Sequence, residues 1–448
     1  MEFVKILAMI KKLSGIVPRG LLTTKTAIVS PSMSLQKLLG MMLLGFASGL
    51  PYMLVFSTLS AWLRDVGISL TEIGFFAWLV LTYSLKFLWA PLVDRYSIPI
   101  FDQLGKRKGW ILLCQIIIVI ALIGMSTLDP ISNLKILAIF AFLAAFFGSI
   151  QDIAIDALRI EMANSKEQGN LAASYQLGYR IAILVATSIA LIFADQFDWS
   201  YVYQFMSFLM LLGVVGVLIS HEPINNEIAI VQIHQSLIQS FQDFFGRFGI
   251  WMASLILLLI STYRLTDIVM GPMAMPFYLD MGFTKTEIGA LVKTVALATS
   301  ILGFFVGGYL IKKLTLSSSL FIGGVSVLVT NLFFAFVANL EADISLLSLI
   351  VGLDSFAAGL VGTINIAFLT SLVSKKYTAV QYAMLTSFMM LPGKLFSGFS
   401  GMLADYYVSI SSLQTGWAYF FYTTSAMSIP ALLLIVIYQR AHDQTNYS

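Results

Sequence analysis

The chain has 448 residues, 58% of them hydrophobic and only 11% charged, with a mean hydropathy of +0.89. A water-soluble domain needs about a quarter charged residues to cover its surface, so this composition excludes one and implies an all-α, polytopic membrane protein. A single cysteine, Cys114, excludes an internal disulfide and a cysteine metal cluster, and the formal net charge of only +3 gives no reason to expect a nucleic-acid partner.

Residues 1–36 read as a basic cytoplasmic tail bearing Lys5, Lys11, Lys12, Arg19 and Lys25, with an apolar patch too short for a span. Apolar runs then predict about twelve transmembrane helices, centred near 38–62, 73–93, 110–128, 134–157, 170–193, 200–219, 250–278, 286–310, 317–339, 345–372, 379–403 and 416–438. They group into a six-helix half at 37–220, a cytoplasmic central loop at 221–248, a second six-helix half at 249–439 and a short tail at 440–448. Lysines and arginines crowd the two tails, the loops near 94–109 and 158–169, the central loop and the pairs Lys312/Lys313 and Lys375/Lys376, which predicts that both termini are cytoplasmic. His221, His234 and His442 all fall outside the predicted spans, so no imidazole relay, metal site or cofactor is expected.

In the first span, GFASGLP (45–51) places small residues at four-residue spacing, which admits a close helix neighbour, and Pro51 permits a bend. Leu391-Pro392-Gly393 repeats the theme in the eleventh. Asp65-Val66-Gly67 followed by Thr71-Glu72-Ile73-Gly74 recurs 215 residues later as Asp280-Met281-Gly282 and Thr286-Glu287-Ile288-Gly289. Such duplication of a six-span half resembles the plan of major facilitator transporters. Asp94-Arg95 at the end of the second span, with Lys106-Arg107-Lys108 before the third, resembles that superfamily's cytoplasmic gate signature. Ala90 stands where a glycine is usual, and extra residues separate the acid from the basic cluster. A gate role is therefore expected for Asp94, Arg95, Lys106 and Arg107, joined at the inner rim by Asp156 and Arg159.

Charges inside the predicted spans are Lys86, Asp152, Arg180, Arg264, Asp267, Lys293, Asp354 and Lys394. Each costs about 2.5–3.5 kcal/mol at the bilayer centre, so each is expected to face protein or a water-filled path. Aligning Gly148 with Gly362 places Arg180 onto Lys394 in the fifth and eleventh spans. Two cations at matched depth imply an anionic substrate. Arg264 and Asp267, three residues apart, can pair. A carboxylate that alternates between water and a low-dielectric surrounding changes its proton affinity, which makes Asp152, Asp267 and Asp354 candidates for proton coupling. Candidate substrate-binding residues are Arg180, Arg264, Lys394, Gly49, Tyr52 and Tyr263, with Tyr83, Tyr175 and Tyr179 available to stack on sugar rings.

The strings GFASGLP, IGFFAWLVLTYSLKFLWAPLVDRY (73–96), KRKGW (106–110), QDIAIDA (151–157), LGYRIA (177–182) and YRLTD (263–267) together resemble the AmpG-type muropeptide permeases of Gram-negative bacteria, a branch of the major facilitators that also holds acetyl-CoA transporters. The resemblance spans about residues 37–438. It implies a monomeric inner-membrane importer of N-acetylglucosaminyl-anhydromuramyl peptides, driven by the proton gradient and serving cell-wall recycling. Acyl-CoA or a siderophore is the alternative cargo, and a sensor on a transporter scaffold the alternative role. An enzyme is not expected, because no nucleophile with a plausible base is present in the spans.

Overall fold

A computed structural model describes residues 35–162, 168–222, 233–374 and 378–446, and every regular element among them is helical. Helices satisfy their own backbone polar groups, which is what an apolar surrounding demands. Side chains such as Ile116, Ile120 and Ile123, or Phe305 and Tyr309, are left exposed on helix faces, where a bilayer covers them.

The helical passages are α1 (Leu35–Asp65), α2 (70–95), α3 (Lys106–Ser126), α4 (Pro130–Glu161), α5 (Asn170–Ala194), α6 (Trp199–Ile219), α7 (Gln239–Asp280), α8 (Lys285–Lys313), α9 (Leu316–Val337), α10 (Ile344–Leu372), α11 (378–410) and α12 (Leu413–Ala441). Ten of them are continuous and apolar enough to cross a membrane. The other two, α2 and α11, are segmented. Short α and 3-10 turns alternate along α2, with Pro91 opening its last segment; α11 carries Pro392 and breaks between Ser397 and Ser400.

Local chemistry explains the other irregularities. Pro51 has no N–H to give the Ala47 carbonyl one turn back, and Gln151 Nε2 of α4 donates to that carbonyl at 2.9 Å instead. The same α1 then passes through a π-turn at Leu54–Thr58. Gly45 and Gly49 let α1 lie on α5, because a Cβ at Gly45 would strike the Tyr175 carbonyl and one at Gly49 would come within 2.8 Å of the Tyr179 carbonyl. Within α7 the helix breaks at Arg264 (φ −106°, ψ 9°). A helix also begins at Ile233, inside the segment expected as a loop, and turns at Gly249 (φ 70°) into the body of α7. Its Phe241, Phe244, Phe245 and Phe248 recur at helical spacing and pack into the core of the second half.

The duplicated motif now has a physical meaning. Gly67 (φ 87°) and Gly282 (φ 90°) adopt the left-handed backbone that follows α1 and α7. Ser69 with Glu72, and Thr284 with Glu287, then form capping boxes that start α2 and α8. Asp129 and Asp343 cap α4 and α10 in the same equivalent way.

Two apolar cores result. One runs from Leu50, Leu59 and Met206 of the first six helices into Phe277, Phe334, Trp417 and Phe421 of the last six. The other, around Ile256, Leu360, Phe368 and Leu385, belongs to the last six helices alone.

Candidate functional site

The helix contacts pair α1 with α5, α8 with α10, α2 with α11 and α5 with α8. The last two pairs join the first six helices to the last six. Gly74 of α2 lies against Gly398 and Gly401 of α11, and Gly289 of α8 against the Ser188 carbonyl of α5.

At the end bearing the duplicated motif, polar contacts tie the halves. Asp280 accepts two hydrogen bonds from Arg64, at 2.5 and 2.7 Å, and one from Trp417 Nε1 at 2.9 Å. Its counterpart Asp65 accepts from Lys285 at 2.9 Å and from Trp199 Nε1 at 2.7 Å. Each repeat aspartate therefore holds one tryptophan of its own half and one cation of the other. Asp405 of α11 adds two 2.6 Å bonds from the backbone and hydroxyl of Thr71.

Deeper in the bundle, Asp152 of α4 accepts a short hydrogen bond from Ser48 of α1, and the Ser48 hydroxyl is 2.7 Å from the Tyr175 hydroxyl of α5. Gln151 anchors this stretch of α4 to the bend in α1. Four tyrosines surround the carboxylate: Tyr52 and Tyr83 meet edge to face at 5.0 Å, and Tyr175 and Tyr179 lie 6.1 Å apart. Among the described residues the buried Tyr83 hydroxyl has no hydrogen-bond partner. Tyr52 also stacks on Phe56 at 6.2 Å, and the Phe56 ring lies beside Gly271 of α7, so this wall borders the second half. On the other side Arg264 pairs with Asp267 at 3.5 Å, and Asp354 lies within reach of Asp267.

Lys86 of α2 meets Asp156 at 3.8 Å, and Asp156 is also bound by Arg159 at 3.2 Å. Lys394 of α11 adjoins Leu395, whose carbonyl accepts from Trp78 Nε1 of α2 at 2.9 Å. Arg180 is exposed and lies 5.5 Å from the Phe304 ring centroid of α8; the described contacts do not bring it to Lys394. Gly49 is spent on the α1–α5 contact. Tyr263 is buried with its hydroxyl bonded to the Leu320 carbonyl at 3.0 Å, on the side away from the other half.

At the basic end, Arg107 is buried and binds Glu161 of α4 at 2.9 Å and the Val93 carbonyl of α2 at 3.1 Å. Glu222 accepts from the backbone N–H groups of Arg107 and Lys108, closing the start of α3. These contacts join α2, α3, α4 and the end of α6, all in the first half. Lys106 has further contacts, and the side chains of Asp94, Arg95 and Lys293 lie outside the described residues.

Twelve helical passages with charged groups enclosed between two halves define a secondary transporter. Residues 41–397 match the Major Facilitator Superfamily. The chain is 32% identical over 407 residues to the Escherichia coli protein named Anhydromuropeptide permease, covering 90% of this chain and 80% of that one. It is 31% identical to a Rickettsia conorii protein named Putative transporter AmpG 4, covering 89% and 96%. Among solved structures the nucleoside transporter NupG superposes with a TM-score of 0.70 at 14% identity, covering 91% of this chain and 99% of that one. A peptide transporter POT in complex with sulfate gives 0.68 at 10% identity, covering 97% and 98%. The chain belongs to the Major Facilitator Superfamily and, within it, to the AmpG-type permeases.

Proposed function

We propose that the protein imports an anhydromuropeptide across the bacterial inner membrane, coupled to protons, by alternating access. The observation that carries this reading is a tyrosine-walled Asp152 inside the first half together with the Arg264–Asp267 pair inside the second. Tyrosine faces suit sugar rings, and a guanidinium suits a peptide carboxylate. The relative named Anhydromuropeptide permease supports the cargo class. The positive-inside rule puts the end with Arg107, Lys108 and Lys312 in the cytoplasm. In this reading the Asp65–Asp280 end is periplasmic, and the ion pairs Arg64–Asp280 and Lys285–Asp65 hold it shut. Asp152 is the coupling carboxylate in this scheme, with Asp267 and Asp354 in the second half as the remaining candidates, and the transporter works as a monomer.

Uptake into proteoliposomes tests both parts. Labelled N-acetylglucosaminyl-anhydromuramyl tetrapeptide should accumulate when an inward proton gradient is imposed and only equilibrate without one. Accumulation of acetyl-CoA instead would overturn the cargo, and indifference to the gradient would overturn the coupling. Asp152→Asn should abolish uphill accumulation while leaving cargo exchange largely intact. If it still concentrates cargo, the proton is carried elsewhere.

A further inference from the structure

The hydrogen-bond ladder of α11 has two faults, and they are closed in different ways. Pro392 has no N–H to give the Phe388 carbonyl one turn back. Ser261 of α7 donates to that carbonyl at 3.3 Å, within the same half. The second fault lies between Ser397 and Ser400. There Phe399 (φ −92°, ψ −4°) departs from helical values, and its N–H reaches the Phe396 carbonyl, three residues back, at 3.0 Å. The Leu395 carbonyl, four residues back, loses that partner. Trp78 Nε1 of α2, in the other half, donates to it at 2.9 Å.

The surroundings are shaped for this one bond. The Ser397 hydroxyl donates to the Lys394 carbonyl at 2.9 Å, and the Ser400 hydroxyl to the Ser397 carbonyl at 2.6 Å. Every carbonyl from Lys394 to Ser397 therefore has a partner, and only that of Leu395 draws it from the other half. A Cβ at Gly398 would strike Trp78 Nε1, so glycine there admits the indole, and the Phe399 ring meets it edge to face at 5.1 Å. The contact continues toward the duplicated-motif end through Gly74, against Gly398 and Gly401, to the bonds of Thr71 with Asp405.

When the halves part at that end, Trp78 withdraws. A carbonyl left bare in apolar surroundings is costly, and Leu395 is 48% exposed on the surface of the bundle. We propose that the fault in α11 is a conformational switch, held open by Trp78 and closing into continuous helix when Trp78 leaves. The Phe399 N–H then passes from the Phe396 carbonyl to that of Leu395, which takes a rotation of about 40° in ψ to reach the helical value of about −42°. Ser400 N–H is thereby placed for the Phe396 carbonyl, its partner in an unbroken ladder. The state of the gate and the shape of α11 become one equilibrium, and each biases the other. The device rests on the rocking motion of the reading above and is independent of the cargo.

Two spin-label pairs in full-length protein, each on a Cys114→Ser background, read the two sides of the switch. Gln196→Cys with Gln414→Cys reports the separation of the halves at the duplicated-motif end. Phe388→Cys with Tyr406→Cys reports the shape of α11 across the fault; all four sites are exposed. Trp78→Phe keeps a ring and removes the donor. It should raise the population with a long Gln196–Gln414 distance by about five- to tenfold, as for an acceptor losing its partner. A second Phe388–Tyr406 population should rise by the same factor. Ser397→Ala with Ser400→Ala changes α11 alone, yet should raise both populations, because it removes hydroxyls that hold the broken turn. Asp280→Asn frees the halves without touching α11 and should carry the Phe388–Tyr406 change with it. A longer Gln196–Gln414 distance over an unchanged Phe388–Tyr406 distribution would make Trp78 a plain clasp and overturn the switch. If Trp78→Phe leaves both distributions as in wild type, the bond carries no weight and the switch is overturned as well. A Gln196–Gln414 distance that no variant lengthens, Asp280→Asn included, refutes the rocking motion itself, and the switch with it.

Discussion

The two ends of the bundle use the same kinds of side chain for opposite purposes. At the end with the duplicated motif, Arg64–Asp280 and Lys285–Asp65 cross between the halves, and the apolar core is continuous from Leu59 to Phe421. At the basic end, the described ion pairs stay inside one half: Arg107–Glu161 and Arg159–Asp156 in the first, Arg247–Asp243 in the second, where Gln381 of α11 and the Leu372 carbonyl of α10 complete the cluster. Bonds inside a half can persist throughout a rocking cycle. Bonds between halves must break in every turnover, so they set an equilibrium instead of holding a fold. Variants at the two ends should therefore fail differently, the first kind in stability and the second in conformation.

The largest effect is expected at Arg107. Its side chain is only 6% exposed and its partner Glu161 13%. Arg107→Ala leaves a buried carboxylate without its cation, a loss of about 3–5 kcal/mol for pairs of this kind. Thermal unfolding in detergent should move down by many degrees and the amount of folded protein should fall. If Arg107→Ala instead melts like wild type and only redistributes conformations, the cluster is a moving gate and not a staple of the first half.

Asp280 and Asp65 should show the opposite behaviour. A hydrogen bond to a charged group contributes about 1.5–3 kcal/mol, and each pair here is partly exposed, which reduces that. Asp280→Asn is expected to shift the balance between inward- and outward-facing states by roughly 5–30-fold, the equivalent of about 1–2 kcal/mol, with little change in melting. Spin labels at the exposed Gln196 and Gln414 should report a longer distance across that end. The exchange Arg64→Asp with Asp280→Arg should recover part of the closed population that either single change loses. No recovery would mean that the pair acts through packing alone.

This contrast was only half legible in the sequence. The duplication was visible because turn chemistry is local: Asp-x-Gly and a capping box occupy ten consecutive residues in each copy. The latch at the duplicated-motif end was not, because its cations, Arg64 and Lys285, do not occupy equivalent places in the two repeats and no spacing rule links them to Asp280 and Asp65. Arg180 and Lys394 illustrate the converse. Their matched offset pairs α5 with α11, but helices related by a pseudo-twofold axis need not touch. In the structure α5 packs on α8 and α2 on α11, so Arg180 meets Phe304, while Lys394 lies beside the Trp78–Leu395 bond between α2 and α11. Ser48 and Gln151 also escaped notice, because short polar residues in an oily helix carry no signal until a neighbouring carboxylate or a proline-freed carbonyl is placed beside them.

The smallest effect concerns bonds that neither cross the halves nor tie one helix to another. Asp129 accepts from the Ser132 hydroxyl at 2.7 Å and from the Ile131 N–H at 3.2 Å; Asp343 accepts from the Ser345 N–H at 2.6 Å. These bonds favour the ionised forms, so both carboxyls are held below the usual carboxylate value of 3.8, by the Ser132 hydroxyl first for Asp129 and by the Ser345 backbone first for Asp343. For a carboxylate depressed in the folded state, the stabilising contribution is present above the unfolded value and is lost as pH falls through the folded one. Acidification below about pH 4 should therefore loosen the first turns of α4 and α10. Hydrogen exchange, corrected for intrinsic rates, should show protection falling at residues 131–134 and 345–348 in wild type. Asparagine also serves as an N-cap but does not titrate, so Asp129→Asn and Asp343→Asn should keep that protection across the same range. An equal acid loss in wild type and in both variants would show that the first turns respond to the charge of the whole bundle and not to their own caps.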